Sequence, residues 1–414
     1  MRDNMQRFHD GRDWFFERRL GLFLHWGLYA IHGLHEQEQQ RYGVPAEEYE
    51  KLTAEFHPRR FDPERWLDLA EEAGMEYLVL TVKHHDGFCL WPSRETDFHV
   101  GNTPYRQDIV RQVAGACARR GIPLEFYYSV VDWHQENYPN LGRHHEIRTD
   151  PARHDWNRYL DYLKRQITEL CTQYGPVAGI WWDMNVPQAE APEVHELIRR
   201  LQPGAVVNNR GFGPGDYSTP ERDFDPENAN RGEVAFARPT EACQSIGFNS
   251  WGYRRDEDYY SILYFLRSID TNLARGGNYL LNVGPDADGI IPEPGRKILH
   301  GVGAWYRRVR ESFAEPIPGL TADPALLVTR RGGTVYIHCP RGLSGSALSL
   351  HPLKQPPTRV TLLNTGEAVE WTLEPLIYYR DRGAELRLRN LDADALSGTV
   401  PVFKLEFDRP PEFG

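Results

Sequence analysis

Cysteine is scarce in this chain of 414 residues: Cys89, Cys117, Cys171, Cys243 and Cys339 are the only five. They are scattered and odd in number, and no two form a Cys-x-x-Cys pair. Neither a zinc knuckle nor a disulfide framework is therefore expected, and a reducing cytoplasm is the expected home. The amino-terminal stretch MRDNMQRFHDGRDWFFERRLG has no apolar segment of the kind that marks a signal peptide. Nor does any apolar run approach the roughly 20 residues that cross a bilayer, so no membrane partner is expected. Basic residues are outnumbered, 48 Lys and Arg against 59 Asp and Glu. A formal net charge of −11 argues against a general nucleic-acid binder, which needs a basic surface. Short repeats and low-complexity tracts are also missing.

What remains is an ordinary globular balance, 40% hydrophobic and 26% charged, in a chain long enough for one large and one smaller domain. Eleven Trp and 21 Tyr bring the aromatic share to 12%, a composition that suits stacking against flat apolar faces. Short apolar runs read as strands at 20–25 (LGLFLH), 77–83 (YLVLTVK), 124–129 (LEFYYS), 178–183 (AGIWWD), 205–210 (AVVNNR) and 278–283 (NYLLNV). Helical patterns alternate with them. The clearest is FDPERWLDLAEEAGM, where Asp62 caps, Pro63 starts the first turn, Trp66, Leu69, Ala70 and Ala73 form a stripe, and Gly74 ends it. Similar patterns cover 106–120, 155–174, 192–201 and 257–274. Strands alternating with helices imply a parallel sheet, and this many over about 300 residues implies a TIM-like (β/α) barrel.

Beyond about residue 315 the texture changes. EPIPGL reads as a linker, followed by TVYIHC, RVTLLN, AELRLRN and VPVFKLEF at turn-separated spacing. The expected organisation is a catalytic barrel over 1–314 and a small antiparallel β-sandwich over 315–414 with a supporting role.

In such a barrel the chemistry gathers at the carboxyl ends of the strands. Those ends carry His25 with Trp26, Lys83-His84-His85-Asp86, Tyr128, Asp183 after Trp181 and Trp182, and Asn208, Asn209 and Arg210. Singly, each is an unremarkable strand-end residue. Together, over an indole floor, they describe a pocket for a small polyhydroxylated ligand with an apolar face, such as a sugar. Asp183 is a lone carboxylate closing an uncharged run, readable as a nucleophile, a metal ligand or a helix cap. Glycoside hydrolysis needs a second carboxyl group, and Glu221 and Glu241 are the candidates.

Six segments carry a closer resemblance: GLFLHWGLYAIHG, FDPERWLDLAEEAGMEYLVLTVKHHDGFCLWPS, FYYSVVDWH, YGPVAGIWWD, SIGFNSWGY and GGNYLLNVGPDADGIIP. Through them, over residues 14–305, the chain resembles the α-L-fucosidases of glycoside hydrolase family twenty-nine. The resemblance implies a retaining exo-glycosidase without cofactor or metal, acting on a terminal sugar of an oligosaccharide or glycoconjugate. Asp183 is then the nucleophile, and Glu221, eleven residues beyond Arg210, is the first choice for the acid/base, with Glu241 the second. His25, His84, His85, Tyr128, Trp181, Arg210 and Trp251 are the implied sugar-binding residues. Lys83 and Asp86 are expected to tie the loop. The chain departs from the family where Gly-Glu-Trp is usual: Glu36 matches the glutamate, but Gln37 replaces the tryptophan. An amide offers donors and an acceptor but little apolar surface, which puts the sugar at issue more than the reaction. Glu38 beside it reads as a solvated loop charge.

Three other readings compete. One is a relative with galacto- or arabino-configured preference, another a catalytically silent sugar-binding protein. The third is a metal-dependent hydrolase using His25, His84, His85 and Asp183. Against the last, adjacent histidines on a strand point in opposite directions. Whether the chain forms a homo-oligomer is not legible in its sequence.

Overall fold

Residues 7–221, 235–317, 321, 323, 325–375 and 383–411 are described by a computed structural model. Seven parallel strands form its centre: β1 Leu20–Leu24, β2 Tyr77–Lys83, β3 Leu124–Ser129, β4 Gly179–Asp183, β5 Val206–Val207, β6 Glu241–Ser245 and β7 Asn278–Val283. Every residue in them is buried, as in a parallel sheet covered on both faces. Their order is β5-β4-β3-β2-β1-β7-β6. The two edges are bridged by the extended segment 217–221, through parallel pairs Asn208–Tyr217, Ser218–Thr240 and Glu221–Cys243. The sheet thereby curls into a barrel.

Strand alternation sorts side chains to two destinations. Phe23, Tyr77, Val79, Tyr127, Trp181, Tyr217 and Leu280 fill the barrel interior as one cluster. Leu22, Leu80, Phe126, Tyr128, Ile180 and Trp182 belong to a second, larger cluster shared with the surrounding helices. Those helices are Pro63–Glu72, Ile109–Arg120, Trp156–Gln173, Pro192–Leu201, Ile262–Ala274 and Glu293–Val309. Their starts follow local chemistry: the Asp62, Asp108, Asp155 and Ser261 side chains accept first-turn N–H groups.

The expected strands appear with one shortening: only Val206–Val207 of 205–210 is strand, and Asn208–Arg210 turn away to build the site. The helix expected from 257 begins at Ile262, after its Ser261 cap. Strand β6 and the helix Glu293–Val309 were not anticipated. The sequence of β6, EACQS, is too polar to read as a core strand, and it is buried because its side chains point into the barrel or against β7.

The carboxyl-terminal part is a β-sandwich. One sheet holds β8 Glu315–Pro316, β9 Leu327–Arg331, β10 Thr334–His338, β12 Arg359–Leu362, β13 Glu367–Ala368 and β16 Val402–Glu406, and the other holds β11 Leu348–Leu353, β14 Glu370–Pro375 and β15 Ala384–Arg389. All pairings are antiparallel, and Val335, Ile337, Leu350, Leu386, Leu388 and Phe403 pack between the sheets. A fully buried pair pins it to the barrel: His338 Nδ1 lies 2.8 Å from Asp270 Oδ1 on the helix Ile262–Ala274. Among the described residues, no helix is long and apolar enough to cross a membrane.

Candidate active site

A cavity of about 320 Å³ opens at the carboxyl ends of the strands. His25 follows β1, His84 and His85 follow β2, and Trp181 and Asp183 end β4. Spacing of two residues puts Trp181 and Asp183 on the same face of β4, which is why an indole floors a pocket walled by a carboxylate. Arg210 and Glu221 close one side and Trp251 the other.

Asp183 is held at both oxygens. Tyr127 donates its hydroxyl to Oδ2 at 2.8 Å, and Arg210 Nη1 donates to Oδ1 at 3.1 Å. Burial alone pushes this carboxyl upward; the Arg210 guanidinium, first among the opposing groups, acts with His85 and the Tyr127 hydroxyl to hold Asp183 below the usual carboxylate range. His85 Nε2 lies 3.9 Å from Oδ2, but burial pushes His85 down to about 4, so Arg210 is the cation facing Asp183 at neutral pH. The same Arg210 Nη1 also donates to Glu221 Oε2 at 2.8 Å. Two carboxyl oxygens on one nitrogen lie no more than about 6 Å apart, a limit that admits the roughly 5–5.5 Å of a retaining pair. Arg210 is braced beneath by the Trp181 ring, 4.9 Å away, and laterally by Thr219.

The histidines have assigned polarity. Asn282 donates through Nδ2 to the Trp251 carbonyl, so its Oδ1 accepts from His25 Nδ1–H at 2.7 Å. Ser129 gives its hydroxyl hydrogen to the Val131 carbonyl and accepts from His85 Nδ1–H at 2.6 Å. Burial keeps both rings neutral, pushed down to about 4. Each therefore presents a bare Nε2, an acceptor for a hydroxyl. His84 and His85 both line the cavity, with ring centroids 4.1 Å apart. The opposed orientation expected for them fails because β2 ends at Lys83, leaving the pair in the following turn. That turn is fixed as expected: Lys83 Nζ pairs with Asp132 Oδ2 at 2.6 Å, and Asp86 accepts from Tyr49 and from the Phe88 N–H.

Glu36 and Gln37 line the cavity too, although Glu36 Oε2 accepts from the Ser250 hydroxyl and the Trp251 N–H. Three expectations need correction. Tyr128 does not reach the cavity: its hydroxyl donates to Gln166 Oε1 on the helix Trp156–Gln173, because strand alternation turns it outward with Trp182. Tyr127 takes the inward place. Glu241 lies beneath the floor instead of in the cavity, accepting from Tyr77 and from Trp181 Nε1 at 2.6 and 2.9 Å. Glu38 is 1% exposed, with Oε1 3.0 Å from His32 Nδ1, so it is no solvated charge. Sequence reasoning also missed Arg41, His144 and His145, which reach the cavity from loops. Tyr127's inward place follows from its pairing opposite Trp181, a register that no single strand carries. Among the described residues, no group of three or more His, Cys, Asp or Glu side chains is arranged to hold a metal ion.

A family model described as alpha-L-fucosidase matches residues 2–311. Isoenzyme 1 of the α-L-fucosidase from Paenibacillus thiaminolyticus is 32% identical, with a TM-score of 0.84 covering 96% of this chain and 98% of that one. A Bacteroides thetaiotaomicron family-29 α-L-fucosidase, solved as a trapped covalent intermediate, is 26% identical with a TM-score of 0.79 and 97% coverage of each chain. Human tissue α-L-fucosidase is 26% identical over 426 residues, covering 92% of this chain and 86% of its own.

Proposed function

Because the chain belongs to the α-L-fucosidase family, a family of glycoside hydrolases, we propose that it releases a terminal α-L-fucosyl residue with net retention. The observation that carries this reading is Arg210 Nη1, shared between the Asp183 and Glu221 carboxyls. It brings two carboxyl groups together in one cleft, as a double displacement requires.

In the first step an Asp183 oxygen attacks the anomeric carbon as the glycosidic bond breaks, while Glu221 gives its proton to the departing oxygen. In the second, Glu221, now a carboxylate, takes a proton from water that attacks the same carbon, and Asp183 leaves. Arg210 keeps Asp183 ionised and ready, and Tyr127 steadies the oxygen that carries charge again when the ester breaks. His25 and His85 accept from ring hydroxyls through their bare Nε2 atoms. The Bacteroides enzyme, trapped as a covalent intermediate with 2-fluoro-fucosyl fluoride in a glutamate-to-glutamine variant, supports an ester intermediate on this fold.

The test is to incubate the protein with 2-fluoro-fucosyl fluoride and map the labelled peptide by mass spectrometry. A fluorofucosyl adduct on Asp183 is expected. Turnover of an aryl α-L-fucoside accompanied by a label elsewhere removes Asp183 from the mechanism. A panel of nitrophenyl glycosides, with galacto- and arabino-configured members, sets the sugar preference that Gln37 puts at issue.

A further inference from the structure

The outer wall of the cavity is built from two loops that clasp each other, the turn at Gln37–Arg41 and the segment 141–148. Gln37 Nε2 lies 2.9 Å from His145 Nδ1, Gln40 Nε2 donates to the Glu146 carbonyl at 3.0 Å, and Trp133 Nε1 donates to the His145 carbonyl at 2.8 Å. Below them Glu146 is almost fully buried, accepting from Tyr138, the Leu141 N–H and Arg143. His145 itself sits at φ 62, a left-handed conformation that a non-glycine residue keeps only where surrounding contacts enforce it.

These contacts fix the polarity of the ring. Arg41 Nε can only donate, and it lies 3.4 Å from Gln37 Oε1, which sets the carboxamide with its oxygen toward Arg41 and its NH₂ toward His145. A donating NH₂ requires His145 Nδ1 to be bare. The ring hydrogen is therefore on Nε2. His85 has the reverse arrangement, with hydrogen on Nδ1 and a bare Nε2. The two rings stand 5.7 Å apart between centroids. At that separation a hydroxyl oxygen bonded to both Nε2 atoms, at about 2.8 Å from each, would accept from His145 and donate to His85.

Resting on the glycosidase reading above, we propose that His145 is a substrate-binding residue that, with His85, brackets one sugar hydroxyl, and that Gln37 and Arg41 are positioning residues fixing its tautomer. The replacement of the family's usual tryptophan by Gln37 thus exchanges an apolar wall for a relay of hydrogen bonds that ends on the ligand. Around His145 stand His85, His144 and Arg41 with the carboxylates of Asp183 and Glu36, and burial is the main cause holding it below the ordinary imidazole range.

Three variants test this, His145→Leu, His145→Gln and Gln37→Glu, each read by aryl fucoside kinetics, inhibition by free fucose and thermal melting. His145→Leu is expected to raise KM and the fucose inhibition constant roughly tenfold, the loss of one hydrogen bond in a dry cleft. His145→Gln, which keeps an N–H donor, recovers most of that. Gln37→Glu offers Nδ1 an acceptor that carries negative charge, so the ring takes up a second proton and the pH profile of kcat/KM gains an ionisation near neutrality. An unchanged fucose inhibition constant in His145→Leu, or a Gln37→Glu profile without the new ionisation, overturns the proposal. Failure of the parent reading looks different: the unmodified protein then turns over no fucoside, while fucose binding still reports on the bracket.

Discussion

The Tyr127 hydroxyl donates to Asp183 Oδ2 across 2.8 Å, inside a stack in which the phenol lies over the Trp181 indole. One residue onward the same strand presents Tyr128 to the helix layer, where it serves Gln166. Tyr127→Phe is expected to lower kcat by roughly 10- to 100-fold, because a donor is lost where charge returns to the carboxylate. Tyr128→Phe should leave kcat within about twofold and reduce stability by about 1 kcal/mol, the loss of one buried hydrogen bond. Steady-state kinetics beside thermal melts separate the two; equal kinetic effects would contradict the assignment.

Arg210 opposes the upward push of burial on Asp183. With Arg210→Gln the opposing charge disappears and the carboxyl rises. The acidic limb of kcat/KM, which reports ionisation of the free enzyme, should then move to higher pH. A pH profile with an unmoved acidic limb would show that some other group keeps the nucleophile ionised.

Glu221→Ala removes the proposed proton donor and leaves a gap beside the anomeric centre. Activity on substrates with poor leaving groups should fall by roughly 10²- to 10⁴-fold. With a dinitrophenyl leaving group, added azide should restore turnover and yield a fucosyl azide of retained configuration, because azide displaces the Asp183 carboxylate without help from a general base. Azide rescue in Glu241→Ala in place of Glu221→Ala would reverse the assignment.

Glu241 offers a stability measurement instead. Burial pushes its carboxyl up to about 7, opposed by hydrogen bonds from Tyr77 and Trp181. The folded chain thus holds this proton more tightly than the unfolded one. Its stabilising effect is complete below the usual carboxylate range and is lost as pH rises through about 7. Glu241→Gln should flatten the decline in melting temperature between about pH 5 and 8. At pH 5 it should be less stable by about 1–3 kcal/mol, since the amide cannot accept well from both partners. A variant melting curve with an unchanged pH slope would place the titration elsewhere.

The parallel strands and their helices were legible because uninterrupted apolar runs ended at capping residues such as Asp62 and Asp155. The barrel-interior strand β6 was not, since EACQS is mostly polar and opens on Glu241, whose carboxyl is satisfied by partners far along the chain, Tyr77 and Trp181. Sandwich strands β9, β11 and β14 were missed for a different reason. In β11, Leu348–Leu353, and β14, Glu370–Pro375, a proline demotes the run as a strand; β9, Leu327–Arg331, is short and ends on two arginines. In the site, Asp183, His25 and Arg210 were readable from their places after apolar strands. The choice between Tyr127 and Tyr128 depends on cross-strand pairing with Trp181, which a single strand does not encode. Arg41 and His145 come from loops whose course is set by each other.

Among the described residues, the barrel's edges meet through three isolated bridges along 217–221, and Glu221 is the last described residue of that segment. Asp183, by contrast, ends a strand fully paired with β3. The two halves of the reaction thus stand on footings of unequal strength. A slip of one residue along the seam turns Glu221 out of the cleft without disturbing its counterpart. With Glu221 as the proposed proton donor and Asp183 as the proposed nucleophile, a lineage of such enzymes is free to relocate the first while the second stays anchored, and diversification of leaving-group preference should begin at the seam.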